Sequence, residues 1–317
     1  MEGAAPASAA APPGIVVGPG FGAGPHVRVF DSQTRLSSEW MAGRNLGAGA
    51  RVATGNLDGS GPEEIIVATG TAVEPEFTAY RIDGSVFAAP PRIAVDCLAS
   101  SGPGFGPCSR EVGATIAAGD IDNDGRDEIV VGAARGEAAI VAIYELGPDG
   151  RIDFVGSFDA YPGFRGGAFV AVGDTDGSGR DEIITGADAG GGPHVRVFEF
   201  AGGTATEEAG FMAYAPAFGG GIRVAAANLD ADVAEEIVTG AGPGGGPHVR
   251  VFNGNGTATA VSFFAYAQAF TAGVFVAAGD ADGDLRAEIV TGPGAGGGPH
   301  VRMFARDGWT TAVRFMA

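Results

Sequence analysis

Asp120-Ile121-Asp122-Asn123-Asp124-Gly125-Arg126-Asp127-Glu128 decides how the rest of the chain is read. It places carboxylates at loop positions 1, 3, 5 and 9 and a glycine at position 6. Alternate acidic residues around a tight turn aim several oxygens at one centre. That is a site for a hard cation, and calcium best accepts such crowded, flexible oxygen coordination. Apolar runs of strand character flank the loop, at 114–118 before it and 129–131 after it. An EF-hand would have helices there and a bidentate Glu at position 12. The stretch therefore reads as a calcium loop at the turn of a β-hairpin.

The same loop recurs. Copies begin at Asn56, Asp120, Asp174, Asn228 and Asp280 and span 56–64, 120–128, 174–182, 228–236 and 280–288, at steps of 64, 54, 54 and 52 residues. Self-similarity at this period signals a repeat array. Each copy carries four short apolar segments. The first runs into the loop and the second leaves it. The third is most legible as Pro193-His194-Val195-Arg196-Val197-Phe198, repeated at 247–252 and 299–304, and the fourth centres on Phe211-Met212-Ala213-Tyr214 and its counterparts. The runs are rich in Val, Ile and Phe, are bounded by Gly, Pro, Asn and Asp, and show no helical period, so they read as strands. Four short strands per unit of about 50 residues is the pattern of a β-propeller blade.

The expected fold is all-β, a β-propeller of six four-stranded blades over residues 14–317, with 1–13 an Ala/Pro-rich linker. The chain enters mid-blade: Ile15 to Gly20 matches Ile289 to Gly294, so the first blade lacks its innermost strand and its acidic loop. The tally is five first strands and six of each other kind. Propellers protect their edges by closing the ring. The missing strand is expected from sequence beyond Ala317 in a longer protein, or else from 4–11; the alternative architecture is part of a seven-bladed ring.

Composition narrows the function. The formal net charge is -19 over 317 residues, with 19 Lys+Arg that are all arginine. Such a surface argues against nucleic acid and anionic membranes and fits a chain that binds cations. No apolar run approaches the length of a transmembrane helix, and Met1 to Pro13 lacks the basic and apolar regions of a secretory signal.

The unit Phe218-Gly219-Gly220, Val224-Ala225-Ala226, the acidic loop, then Ile237-Val238-Thr239-Gly240-Ala241-Gly242-Pro243 resembles the FG-GAP repeat, often named VCBS repeat, which forms the propeller of integrin α subunits and occurs in many bacterial surface and secreted proteins. The resemblance implies structural calcium in the loops between strands one and two. It also implies an extracellular or cell-surface location and binding or adhesion rather than catalysis.

Ligand charge helps set calcium affinity. Asp120, Asp122, Asp124 and Glu128 offer four carboxylates beside Gly125; Asp174, Asp176 and Glu182, with Ser178, offer three and keep Gly179. Arg126 and Arg180 occupy position 7 of these two loops, a place that serves calcium through its backbone carbonyl. Asp280, Asp282, Asp284 and Glu288 offer four, but Leu285 replaces the turn glycine. Asp58 and Glu64, with Asn56 and Ser60, offer two; Asp230, Asp232 and Glu236, with Asn228, offer three, but Val233 takes the glycine position. A branched residue forced to φ > 0 costs about 1–2 kcal/mol. The expected order of occupancy is therefore the Asp120, Asp174, Asp280, Asn56 and Asn228 loops.

His26, His194, His248 and His300 share one repeat position, each with an Arg two residues later, and are read as structural groups bonded to the next blade. Cys97 and Cys108 fall in the expanded repeat step and read as a disulfide staple in an oxidising compartment. In an up-and-down blade their connection shares a face with the Gly/Pro turns, opposite the calcium loops. That face is where a protein or glycan ligand is expected. The alternatives are a lectin-like propeller and a propeller lyase or hydrolase. No cluster of His, Asp and Arg stands outside the repeat to support catalysis, so no enzyme is expected.

Overall fold

A computed structural model describes residues 14–20, 23–42, 49–69, 76–88, 114–133, 138–230, 232–284 and 286–317. Among these residues every regular element is a strand, and the strands form six antiparallel sheets. Blade 1 holds β1 (Gly14–Val17), β2 (His26–Asp31) and β3 (Leu36–Met41). Blade 2 holds β4 (Arg51–Gly55), β5 (Glu64–Thr69), β6 (Glu76–Tyr80) and β7 (Val86–Ala88). Blade 3 holds β8 (Thr115–Gly119), β9 (Glu128–Gly132), β10 (Ile140–Leu146) and β11 (Ile152–Asp159). Blade 4 holds β12 (Ala168–Gly173), β13 (Glu182–Ala187), β14 (His194–Ala201) and β15 (Thr204–Met212). Blade 5 holds β16 (Ile222–Ala227), β17 (Glu236–Ala241), β18 (His248–Phe252) and β19 (Ala258–Phe264). Blade 6 holds β20 (Val274–Gly279), β21 (Glu288–Pro293), β22 (His300–Phe304) and β23 (Thr310–Met316). Pairing is sequential in each sheet, and blade 1 has three strands where the others have four, as the repeat phase requires.

The burial pattern follows from this stacking. Strand two of a blade is sandwiched between its neighbours, so β9, β13 and β17 are buried at every residue; each opens on a Glu and is otherwise apolar but for Thr185 in β13 and Thr239 in β17. Strand four lies at the rim, where β19 alternates exposed and half-buried residues. Six apolar clusters form the core, one between each pair of adjacent blades. The last joins Ile15 of blade 1 to Ala281 and Met303 of blade 6. The Phe30 and Phe315 rings meet across the same seam with centroids 4.5 Å apart, matching Phe263–Phe304 at 4.5 Å between blades 5 and 6. The ring closes with six blades, and the seven-bladed alternative falls away. Residues 1–13 lie outside the described residues.

Close blade approach explains one repeated glycine. A Cβ on Gly186 or Gly240 would lie 2.7 Å from the carbonyl oxygen of Ile222 or Val274, which begin the innermost strand of the next blade. Gly292 of blade 6 meets nothing within 4 Å, because its neighbour, blade 1, has no innermost strand among the described residues.

Candidate metal centres

Each acidic loop joins strands one and two of its blade and is tied shut from within. The position-9 glutamate is buried and accepts a hydrogen bond from the backbone N–H of position 2. The donors and acceptors are Leu57 to Glu64 (3.2 Å), Ile121 to Glu128 (3.1 Å), Thr175 to Glu182 (2.8 Å), Leu229 to Glu236 (2.7 Å) and Ala281 to Glu288 (3.1 Å). At position 1, Asp120 accepts from the N–H groups of Asp124 (3.0 Å) and Gly125 (2.9 Å), and Asp174 accepts from those of Ser178 (2.9 Å) and Gly179 (2.8 Å). These bonds wrap the loop around its own carboxylates.

The wrapping gathers oxygens. Asp120, Asp122 and Glu128 bring ligand atoms within 4.8 Å of one another, as do Asp174, Asp176 and Glu182, Asp230, Asp232 and Glu236, and Asp280, Asp282 and Glu288. Such oxygen-only sets on a turn are the donor chemistry of a hard cation, so the residues present fit calcium. Asp124 is outside its cluster. Its carboxylate takes two hydrogen bonds from Arg126, at 2.7 and 3.2 Å, which hold it below the usual carboxylate range. Asp284 likewise lies outside, accepting from the Arg286 N–H at 3.0 Å. Three of the four carboxylates in each of these two loops are gathered, and the position-5 Asp stands apart. The Asn56 loop supplies two acids, Asp58 and Glu64, and the buried Oδ1 of Asn56 has no hydrogen-bond partner.

Turn geometry separates the loops further. Position 6 takes positive φ at Gly61 (76°), Gly125 (88°) and Gly179 (84°). Position 4 does so too, at Gly59 (72°), Asn123 (62°), Gly177 (76°) and Gly283 (86°), a requirement that the acidic pattern alone does not reveal. Among the described residues Asn123 is the one non-glycine with positive φ at this position, and asparagine tolerates this region best. Val233 avoids positive φ, and its loop takes another shape: the Asn228 amide donates to the Asp232 carbonyl, and Val233 is left 77% exposed. Leu285 is outside the described residues.

Burial raises the clustered glutamates. Glu128 is pushed up to about 8, first by burial and then by the charge of Asp122. Glu64, Glu182 and Glu288 are pushed up to about 7, in each case by burial first.

Position 8 links the loops to one another. Asp127 accepts from the Asn56 N–H at 2.8 Å, and Asp181 accepts from the Asp120 N–H at 2.9 Å. Their own N–H groups, and that of Glu235, donate to the carbonyls of Asn56 (3.0 Å), Asp120 (3.1 Å) and Asp174 (2.7 Å). Asp127, Asp181 and Glu235 therefore each dock on position 1 of the preceding loop. The residue just before position 1 must make room. A Cβ on Gly55, Gly119 or Gly173 would collide with the carboxylate of Asp127, Asp181 or Glu235. The next seam has Ala227 in place of the glycine and Ala287 in place of the acid. The two exchanges match, since a shortened side chain opposite leaves space for a methyl group.

The shared histidine position is structural in geometry, but its contacts run otherwise than expected. His26 pairs with Glu39 at 3.2 Å and His248 with Ser262 at 2.9 Å, both within their own blade. The arginines two residues on reach the preceding blade, not the next: Arg196, Arg250 and Arg302 donate to the carbonyls of Ala160, Ala213 and Ala265. A tyrosine after strand four returns the contact. The Tyr214 hydroxyl lies 3.1 Å from the carbonyl of Thr239 and 2.8 Å from that of His248; Tyr161 and Tyr266 repeat this. The Phe-x-Ala-Tyr spelling at 158–161, 211–214 and 263–266 was the available signal. Cys97 and Cys108 lie outside the described residues.

Residues 120–185, from the Asp120 loop through the Asp174 loop, match the family described as FG-GAP-like repeat. Over that span the chain carries FG-GAP-like repeats, set within a six-bladed propeller. Comparison with curated proteins gives no match. Among solved structures, the chain is similar to a protein from Lactobacillus plantarum (12% identity, 94% of this chain and 82% of that one, TM-score 0.53). It also matches the Dos1 propeller (12% identity, 92% and 64%, TM-score 0.47) and a rhamnogalacturonan lyase from Bacillus licheniformis (15% identity, 90% and 65%, TM-score 0.39). The chain spans 64% to 65% of the length of the rhamnogalacturonan lyases it matches. At these identities the likeness concerns the fold alone. Among the described residues no helix is long and apolar enough to cross a membrane.

Proposed function

We propose that this propeller is an extracellular binding or adhesion module whose blades are stabilised by calcium in the loops between strands one and two. The observation that carries the reading is the three-carboxylate cluster that recurs at one place in four blades, each held by the same internal bond from position 2 to the buried glutamate. The calcium is structural. It takes up the negative charge that burial concentrates in each loop and adds stability by mass action, because the site exists only in the folded state. The ligand meets the opposite face, where the Gly/Pro turns lie, and the protein acts by binding rather than by catalysis. Calorimetric titration of metal-stripped protein with calcium and with magnesium tests the reading. Several calcium sites per chain, with magnesium far weaker, are expected; absence of calcium heat and of any calcium effect on melting overturns it.

A further inference from the structure

The innermost strands β4, β8, β12, β16 and β20 line the ring axis, and each runs from the Gly/Pro face towards its acidic loop. Their first turn of sequence holds one repeat position, occupied by Arg51, Thr115, Phe169, Arg223 and Phe275. Four of these side chains, Arg51, Phe169, Arg223 and Phe275, converge at the Gly/Pro mouth of the channel, while the Thr115 hydroxyl donates to the Ala168 carbonyl. The Arg223 guanidinium lies 5.3 Å from the Phe169 ring and 4.8 Å from the Phe275 ring, and Arg51 lies 4.8 Å from the same Phe275. Phe169 and Phe275 stand 6.4 Å apart, edge to face.

Arg223 is only 8% exposed, yet its Nε and Nη1 have no hydrogen-bond partner among the described residues. Neither Arg223 nor Arg51 makes an ion pair among them, although the chain carries 38 acids against 19 bases. The rings do not resolve this. Stacking engages the flat faces of a guanidinium, whereas its N–H donors lie in the plane and still need acceptors. A buried charge without acceptors is costly. Burial accordingly lowers both arginines, Arg223 to about 10. The one acid whose charge bears on both is Asp188, which accepts from the Ala189 N–H at 2.6 Å and sits beyond ion-pair distance. The Arg223 Nη1 also lies against Gly242, where a Cβ would stand 2.8 Å from it, so the glycine turn leaves the fork open at the mouth.

We propose that Arg223 and Arg51 form an anion-binding site at the Gly/Pro mouth of the channel, and that its ligand presents a single carboxylate. The fork geometry of a guanidinium matches a planar carboxylate through paired N–H bonds. Charge count sets the valence: two arginines beside Asp188 leave one positive charge, which a monocarboxylate neutralises and a dianionic phosphate overshoots. The proposal deepens, and rests on, the reading that this face meets the ligand; it does not depend on calcium in the opposite loops. The shared chemistry is that of an acidic sugar or an acidic amino-acid side chain.

The test is NMR titration of the arginine Nε signals in calcium-loaded protein, with D-glucuronate and N-acetylglutamate against their neutral counterparts D-glucose and N-acetylglutamine. The carboxylates are expected to shift the Arg223 and Arg51 signals saturably, and the tighter of the two names the source; equal affinities support carboxylate recognition alone. Arg223→Gln should weaken binding about tenfold or more, the loss of a charge-assisted bond. Arg51→Gln, at a half-buried position, gives a second reading if Arg223→Gln fails to fold. Unshifted signals up to about 50 mM, in the weak-binding range, or equal shifts with the neutral compounds, overturn the site. Those outcomes leave the calcium titration untouched, so failure here and failure of the calcium reading are told apart.

Discussion

The Asp120 and Asn228 loops occupy the same place in blades 3 and 5, and both gather three carboxylates within 4.8 Å. They differ at the hinge points of the turn. Asp120 accepts two backbone N–H groups and Gly125 supplies positive φ; Asn228 turns its amide to a carbonyl, and Val233 keeps to ordinary φ. A ligand set can thus be assembled on a turn that has no positive-φ glycine at position 6. Calcium affinity depends on ligand charge and on site rigidity, and these loops separate the two.

The largest effect that bears on this contrast is complete metal removal. EGTA should lower the melting temperature by about 5 °C or more, since each saturated site adds a few kcal/mol and each kcal/mol moves the melt by about 2–4 °C in chains of this size. Scanning calorimetry with and without calcium measures it, and an unchanged melt breaks the comparison altogether. Next, Asp122→Ala should cost about 2 kcal/mol in calcium and Asp230→Ala less than about 1 kcal/mol. Equal losses in chemical denaturation would show that charge alone matters.

Proton competition comes third. Glu128 is raised from the ordinary glutamate range to about 8. A carboxyl raised on folding favours the folded state below its unfolded pKa, and that advantage is lost as pH rises through the folded value. Metal-free protein should therefore lose stability between about pH 5 and pH 8. Calcium binds the ionised form, so its stabilisation should be greater at pH 8 than at pH 6. Melts at the two pH values check this, and a shift that shrinks with pH contradicts it. The smallest effect concerns the missing bridge. Ala287→Asp alone should destabilise by crowding the Ala227 methyl. Combined with Ala227→Gly it should recover the loss and gain about 1 kcal/mol, a coupling that a double-mutant cycle reads directly.

The architecture was legible because one short loop repeats. Its spacing located the 23 strands found among the described residues, and it showed that blade 1 has no innermost strand among them. The position-9 glutamate was legible as an acid but not as the group that closes its own loop onto position 2. Asp127, Asp181 and Glu235 could be read only as neighbours of that glutamate, because what they touch lies in another blade, a repeat away in sequence. The same holds for Arg51 and Arg223, which became a pair only when the ring brought β4 and β16 to one axis. The arginines beside the histidines were assigned to the wrong neighbour, since a repeat pattern carries no sign of the direction in which a side chain leans. Asp124 shows the opposite limit: its oxygens are claimed by Arg126, two residues away, and no ligand count foresees a local competitor.

The tyrosine contacts have a kinetic meaning. Tyr214 belongs to the tail of blade 5's predecessor in sequence, yet its hydroxyl rests on carbonyls in β17 and β18, while Arg250 of β18 reaches back to Ala213 beside it. The unit that opens and closes as one is therefore not a blade. It is the two middle strands of one blade together with the last turn of the blade before it. Local fraying at a rim strand stops at such a boundary, whereas freeing one of these tyrosines loosens two blades at once. Amides of β17 and β18 should then exchange with solvent in concert, as one cooperative group.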